Sequence, residues 1–197
     1  MFKKLCVTSI RSFHVSRLNL GLRSYDLEQP WAIIPHLFKR YCQLFFGSFR
    51  VAWNFDRTLK KWDPDMPDLI SFERSAKDAV KEVLMCMQDQ NYYPLAPLTS
   101  IKGLEEIEAE SETLSDTVRP YINKITFGAT TTLAVSEDEQ SMLCDLDLLC
   151  LGIKRRPEAG DAFLIEVLTR FHRDFSPQKQ PDWSITSFIL NIRRFRY

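Results

Sequence analysis

Apolar side chains between Trp31 and Trp53 recur at intervals of three and four, at Ile34, Leu37, Phe38, Tyr41, Leu44, Phe45, Phe49, Ala52 and Trp53. That spacing predicts an amphipathic helix over 31–53. His36, Lys39, Arg40, Gln43 and Arg50 fill other positions of the wheel, and the segment contains no acidic residue. Pro64 and Pro67 punctuate the loop that follows, with Asp68 placed to cap the next helix. Residues 69–88 carry Leu69, Phe72, Ala76, Ala79, Val80, Val83, Leu84 and Met87 at helical spacing, and Pro94 closes that run. Leu95 to Asn123 reads as further helix through Leu98, Ile101, Leu104, Ile107, Leu114, Val118 and Tyr121, with an interruption near 111–113 and an end at Pro120.

The period then changes from 3.6 to 2. Ile125, Phe127, Ala129, Thr131, Leu133 and Val135 alternate with polar or small residues and predict a strand; 137–140 is a polar turn. Met142–Lys154 is a second strand, Ala162–Phe175 a third after a turn holding Pro157 and Gly160, and Asp182–Phe195 a fourth after a loop at 176–181. Helices first and a four-stranded antiparallel meander second give an α+β fold.

Charge changes this picture at one end. The 197 residues hold 26 Lys+Arg and 26 Asp+Glu, a formal balance of zero. Residues 1–24 contribute Lys3, Lys4, Arg11, Arg17 and Arg23 and no acid, so the remainder holds 21 basic against 26 acidic groups. Five Ser/Thr and spaced apolar residues accompany the basic ones, with arginines interrupting any long apolar run. This is the composition of a mitochondrial transit peptide, not a secretory signal. The expected organisation is a leader at 1–24 and one domain at 25–197, directed to the mitochondrial matrix. No span of the membrane is expected, since the longest uncharged run in the aromatic helix, Tyr41–Phe49, is nine residues against about 20 required.

The search for chemistry returns little. Five cysteines (Cys6, Cys42, Cys86, Cys144, Cys150) show neither Cys-x-x-Cys nor zinc-finger spacing and read as thiols acting as small hydrophobes. No glycine-rich phosphate loop occurs, and His14, His36 and His172 share no metal-binding spacing. Asp145, Asp147, Glu166, Arg170 and His172 alternate toward one face of two neighbouring strands. A carboxylate buried there would have a raised pKa and could act as a base; a cross-strand charge match between Asp145 or Asp147 and Arg170 is the simpler reading. No catalytic, cofactor or metal residue is assigned. An acidic body and a short basic run at Arg193, Arg194 and Arg196 do not suit specific nucleic-acid binding.

Several short stretches resemble a known family. Ser71–Val80 in the second helix, with Phe72 and Ala76, and Leu95-Ala96-Pro97-Leu98 after it, are similar to the carboxy-terminal domain of the import-motor tethering subunits of the mitochondrial inner membrane; Ser75 stands where that family usually has Gly. Phe171 to Phe175 and Pro181-Asp182-Trp183-Ser184-Ile185 resemble the last hairpin of a matrix branch of the family, and Pro30-Trp31 resembles its start. The likeness covers roughly residues 29–192. It implies a cone-shaped fold of the nuclear-transport-factor-2-like type, peripheral attachment to the matrix face of the inner membrane and a non-enzymatic adaptor role. For that branch the implied partners are the m-AAA protease and newly imported inner-membrane proteins, among them the regulatory subunit of the calcium uniporter. Other members tether the import motor or receive the mitochondrial ribosome.

The sequence itself adds one expectation: that the aromatic helix contacts anionic inner-membrane lipid through Trp31, Phe38, Phe45, Phe49 and Trp53 beside Lys39, Arg40 and Arg50. The competing arrangement buries those aromatics against the sheet.

Overall fold

The structure, a computed structural model, describes residues 27–28, 30–137, 142–176 and 182–196. The leader at 1–24, the turn at 138–141 and the loop at 177–181, Pro181 included, lie outside the described residues.

The second helix follows the expected pattern. The Asp68 carboxylate accepts from the Ser71 amide at 2.9 Å and starts α2 (Leu69–Asp89), which ends where Gln90 turns left-handed at φ 54°. Its stripe of Phe72, Ala76, Val80, Val83, Leu84 and Met87 is buried. The reading of 95–123 as mostly helix needs correction. The only α-helical part there is α3 (Ile101–Glu112), started by the Ser100 hydroxyl accepting from Gly103 N at 3.0 Å, with single 3₁₀ turns at Tyr93–Leu95 and Arg119–Tyr121. Pro97 supplies no amide donor, and the sheet claims the backbone beyond it: Ile185 N donates to Leu98 O at 2.8 Å and Ser100 N to Ile185 O at 2.9 Å.

The sheet contains the expected meander: β2 (Phe127–Glu137), β3 (Met142–Arg156), β4 (Asp161–Asp174) and β5 (Ser184–Arg196), each antiparallel to the next. A fifth, two-residue strand, β1 (Leu27–Glu28), pairs parallel with β5 at Arg194 and Phe195. It is too short to leave a period in the sequence. One face of the sheet presents Cys144, Leu146, Leu148, Cys150, Phe163, Ile165, Val167, Phe171, Ile185, Phe188 and Leu190, all buried in the main core under α2 and α3. Cys42, Cys86, Cys144 and Cys150 are free thiols, and burial pushes Cys144 and Cys150 up to about 12.

The first helix, α1 (Pro30–Leu59), is longer than its apolar pattern predicts and serves both faces of the sheet. Its end, Val51, Phe55 and Leu59, enters the main core. Leu44 instead packs with Ala129, Leu149, Leu151 and Leu168 on the opposite face. The helix therefore crosses the β2 edge between these groups. A bulge between Thr130 and Thr132 marks the crossing, where Ser48 Oγ donates to Thr130 O at 3.3 Å and Thr130 N donates to the Glu73 carboxylate at 2.7 Å. Gly47 makes the approach possible: a Cβ there would sit 2.8 Å from the Thr131 carbonyl oxygen.

At the far end of the sheet, Asp161 is almost fully buried and receives Arg156 Nε at 2.8 Å and Arg194 Nε at 2.6 Å, joining β3, β4 and β5. The Arg156 hydrogen bond, outweighing burial and aided by Arg194, holds the Asp161 carboxyl below its ordinary value.

Two outcomes follow from these contacts. Gly47→Ala should lower stability by about 1–3 kcal/mol, read by urea denaturation, because backbone rather than a flexible side chain blocks the added methyl; an unchanged midpoint would contradict the crossing. Asp161→Asn should be less stable than wild type at neutral pH. A carboxylate with a lowered folded pKa stabilises fully above its unfolded value and loses that contribution as pH falls through the folded value. The two proteins should therefore converge in acid, as denaturation midpoints at pH 7 and pH 3 would show.

Candidate functional site

An amphipathic helix ordinarily turns its apolar stripe inward. The α1 helix has two such stripes. Ile33, Leu44, Val51, Phe55 and Leu59 are buried. Trp31, Ile34, Phe38, Tyr41, Phe45, Phe46, Phe49 and Trp53 are each between 59 and 70% exposed. At 1.5 Å per residue, Trp31 to Trp53 spans about 33 Å along the outer surface. Phe127, the first residue of β2, is also exposed and continues the surface across a shallow groove formed with Tyr41, Phe45 and Phe49. A single exposed apolar residue needs no explanation, but a contiguous row of eight large ones marks a contact surface.

Lys39, Arg50 and Arg57 lie along one flank of this row, since separations of 11 and 7 residues return close to the same side of a 3.6-residue helix. All three are exposed. The Arg57 guanidinium lies 4.7 Å from the Trp53 ring centroid, a cation–π distance. The first acid of the helix, Asp56, comes after the row and pairs with Lys60 at 3.2 Å.

The structure thus exposes five of the eight residues expected at a membrane as aromatics (Trp31, Phe38, Phe45, Phe49, Trp53) and two as cations (Lys39, Arg50). Arg40 is placed differently. It turns toward the sheet, where Arg40 Nε donates to Glu166 Oε1 at 3.0 Å and His36 Nε2 meets the same oxygen at 2.7 Å. At about 100° per residue, Arg40 lies about 160° around the axis from Phe38 and faces β4, so its charge meets the buried carboxylate. Sequence reasoning left out Ile34, Tyr41, Phe46 and Arg57. Their signal was present as a second set of three- and four-residue spacings, merged with the buried set into one overly wide stripe.

Asp145, Asp147, Glu166, Arg170 and His172 share the face opposite the main core, as alternation predicts. Asp147 receives a bidentate pair from Arg170 at 2.7 and 3.1 Å, and Asp145 meets His172 Nδ1 at 2.7 Å; both are direct cross-strand neighbours. None of these groups faces the apolar interior, which Phe55, Phe163 and Phe188 fill. Among the described residues no cluster of His, Cys, Asp and Glu could hold a metal ion, and no helix is long and apolar enough to cross a membrane.

The family-like stretches converge. Phe72 lies 5.7 Å from Phe171 and 4.9 Å from Trp183, and Trp183 lies 6.5 Å from Phe175, measured between ring centroids. Ala76 is buried one turn after Phe72, whereas Asp182 is exposed. Arg173 caps the cluster, stacked on Phe175 at 4.4 Å and bonded to Asp63 at 2.6 Å. These residues hold α2 against β4 and β5 and are part of the fold, not of the outer surface. No protein-family model matches the chain, and no curated protein is significantly similar to it.

The exposure of the outer row separates its two competing arrangements. Phe38→Ser and Phe49→Ser should each change stability by no more than about 0.5 kcal/mol, whereas Phe55→Ala should cost about 3–5 kcal/mol. Comparable losses at all three positions in denaturant titrations would place the outer aromatics in a core.

Proposed function

We propose that this protein is a non-enzymatic adaptor of the mitochondrial matrix that binds the inner membrane peripherally through the outer face of α1. The observation carrying this reading is the row from Trp31 to Trp53 with its flank of Lys39, Arg50 and Arg57. Aromatic and aliphatic side chains of this size settle at the boundary between headgroups and acyl chains. Basic residues beside them add about 1 kcal/mol each near an anionic surface. The acid-free length of the helix removes the repulsion that the acidic remainder of the chain would otherwise introduce at that surface.

The transit-like leader and the family resemblance support the matrix and the adaptor role. In this reading the partners are m-AAA protease subunits and newly imported inner-membrane proteins, and the protein assists their sorting or maturation. A ribosome receptor or import-motor tether would use the same membrane seat and differ in partner alone.

The membrane seat is tested by flotation with phosphatidylcholine vesicles with and without cardiolipin. Wild type should float with cardiolipin vesicles and be released by high salt. Reversing Lys39, Arg50 and Arg57 to Glu should weaken binding by at least about 100-fold, the equivalent of about 1 kcal/mol per cation removed. Equal binding of wild type and the triple variant would defeat the assignment. Affinity purification from mitochondria, scored for m-AAA subunits against ribosomal and import-motor proteins, identifies the partner.

A further inference from the structure

Glu166 is the most deeply buried acid on the face of the sheet that α1 crosses, at 2% exposure. Its neighbours in register are Leu151 and Asn191, and Leu164 and Leu168 flank it on the same face of β4. His36 and Arg40, which meet its Oε1, both come from the first half of α1. The apolar support of this part of the helix is smaller than that of its other end: buried Ile33, and Leu44 with its small cluster, against Val51, Phe55 and Leu59 in the main core. Between them stands Gly47-Ser48 at the β2 bulge, a residue pair at which helices bend readily.

We propose that Glu166 is an internal competitor for the anion that α1 meets: it latches residues 30–46 onto the sheet by occupying His36 and Arg40, and an anionic lipid surface releases this arm by taking them over. Docking gains a charge-assisted pair but removes a carboxylate from water, and these two contributions nearly offset one another in a buried ion pair. Release does not strand the carboxylate, because among the described residues the arm supplies the partners of Glu166, and lifting it returns the carboxylate to solvent. Lipid phosphates then provide the counter-charge that Glu166 had provided, and Arg40 joins Lys39, Arg50 and Arg57. The arm can part without opening the main core, which begins at Val51 on the other side of Gly47-Ser48. The competing anion rests on the membrane reading above; the latch does not.

The test uses the full chain as wild type, Glu166→Gln, Arg40→Gln and the double variant. Hydrogen exchange without lipid reads the latch. Glu166→Gln should speed exchange of amides in 33–46 by at least about tenfold while leaving α2 unchanged. Adding Arg40→Gln to it should have less effect than Arg40→Gln alone. Unchanged exchange in 33–46, or an equal rise in α2, overturns the latch. Vesicle binding reads the competition: Glu166→Gln should bind cardiolipin-containing vesicles more tightly than wild type and phosphatidylcholine vesicles equally, and the gain should vanish with Arg40→Gln. Faster exchange with unchanged or weaker cardiolipin binding overturns the competition. Inorganic phosphate at matched anion concentration should not speed exchange in wild type; if it does, a free anion and not a lipid surface is the releasing ligand. If wild type binds neither kind of vesicle, the membrane reading and the competition fall together, and exchange alone decides the latch.

Discussion

The passage of α1 across the β2 edge sets the remaining arrangement of the molecule. One helix of 30 residues, about 45 Å long, cannot lie against a single face and also reach both Leu149 on one side of β3 and the Val51–Leu59 stretch's partners on the other. It does so because β2 yields at Thr130–Thr132 and because Gly47 lets two backbones approach closely. The bulge would normally leave ladder groups unsatisfied. Here Glu73 of α2 accepts from the Thr130 amide and Ser48 of α1 donates to the Thr130 carbonyl, so the crossing point is also where two helices are tied to one strand.

The distribution of charge follows from that geometry. The chain is neutral as a whole, yet α1 has no acid before Asp56, while α3 carries Glu105, Glu106, Glu108, Glu110 and Glu112 against Lys102. α3 lies over the main core, on the far side of the sheet from the arm of α1. A sheet and a helix layer each add about 10 Å, which together exceed the screening length of about 8 Å at physiological ionic strength. The acidic surplus is thus held where it neither repels an anionic surface at the aromatic row nor competes for Lys39, Arg50 and Arg57. On the intervening face, Asp147 with Arg170, Asp145 with His172 and Glu166 with Arg40 are matched locally.

The fold was largely legible where an element buries one face only. Alternation over residues 142–148 of β3 and 167–174 of β4, the Asp68 cap and the stripe of α2 each have a single periodic solution. The errors fall where a tertiary contact overrides a local pattern. Leu98–Ser100 pairs with Ile185 in place of continuing a helix, and β1 is held by β5 alone. The site was legible as a helix rich in aromatics and free of acids, but not as two stripes. Leu44 and Phe45 are neighbours of identical apolar character, and only the position of the sheet determines that Leu44 is buried and Phe45 exposed. The inward turn of Arg40 was not legible for the same reason, since its partner is 126 residues distant.

That distant partner also explains why a charged pair, and not a leucine, occupies the centre of this contact. Apolar residues at 40 and 166 would join the cluster of Leu44, Leu149 and Leu168 and hold the arm by shape alone; replacing buried ion pairs with well-packed hydrophobes is often neutral or stabilising. A carboxylate against Arg40 and His36 gives less stability but a narrower choice of position, because a shift that brought Leu37 and Tyr41 into their places would leave Glu166 buried without a counter-charge. The pair therefore fixes the rotation of the helix about its axis. With Arg40 and His36 turned inward, helical geometry leaves Trp31, Ile34, Phe38, Tyr41, Phe45 and Phe49 no direction but outward. The outer row is thus specified from the inside: one buried acid on β4 determines which side of a doubly apolar helix meets its surroundings.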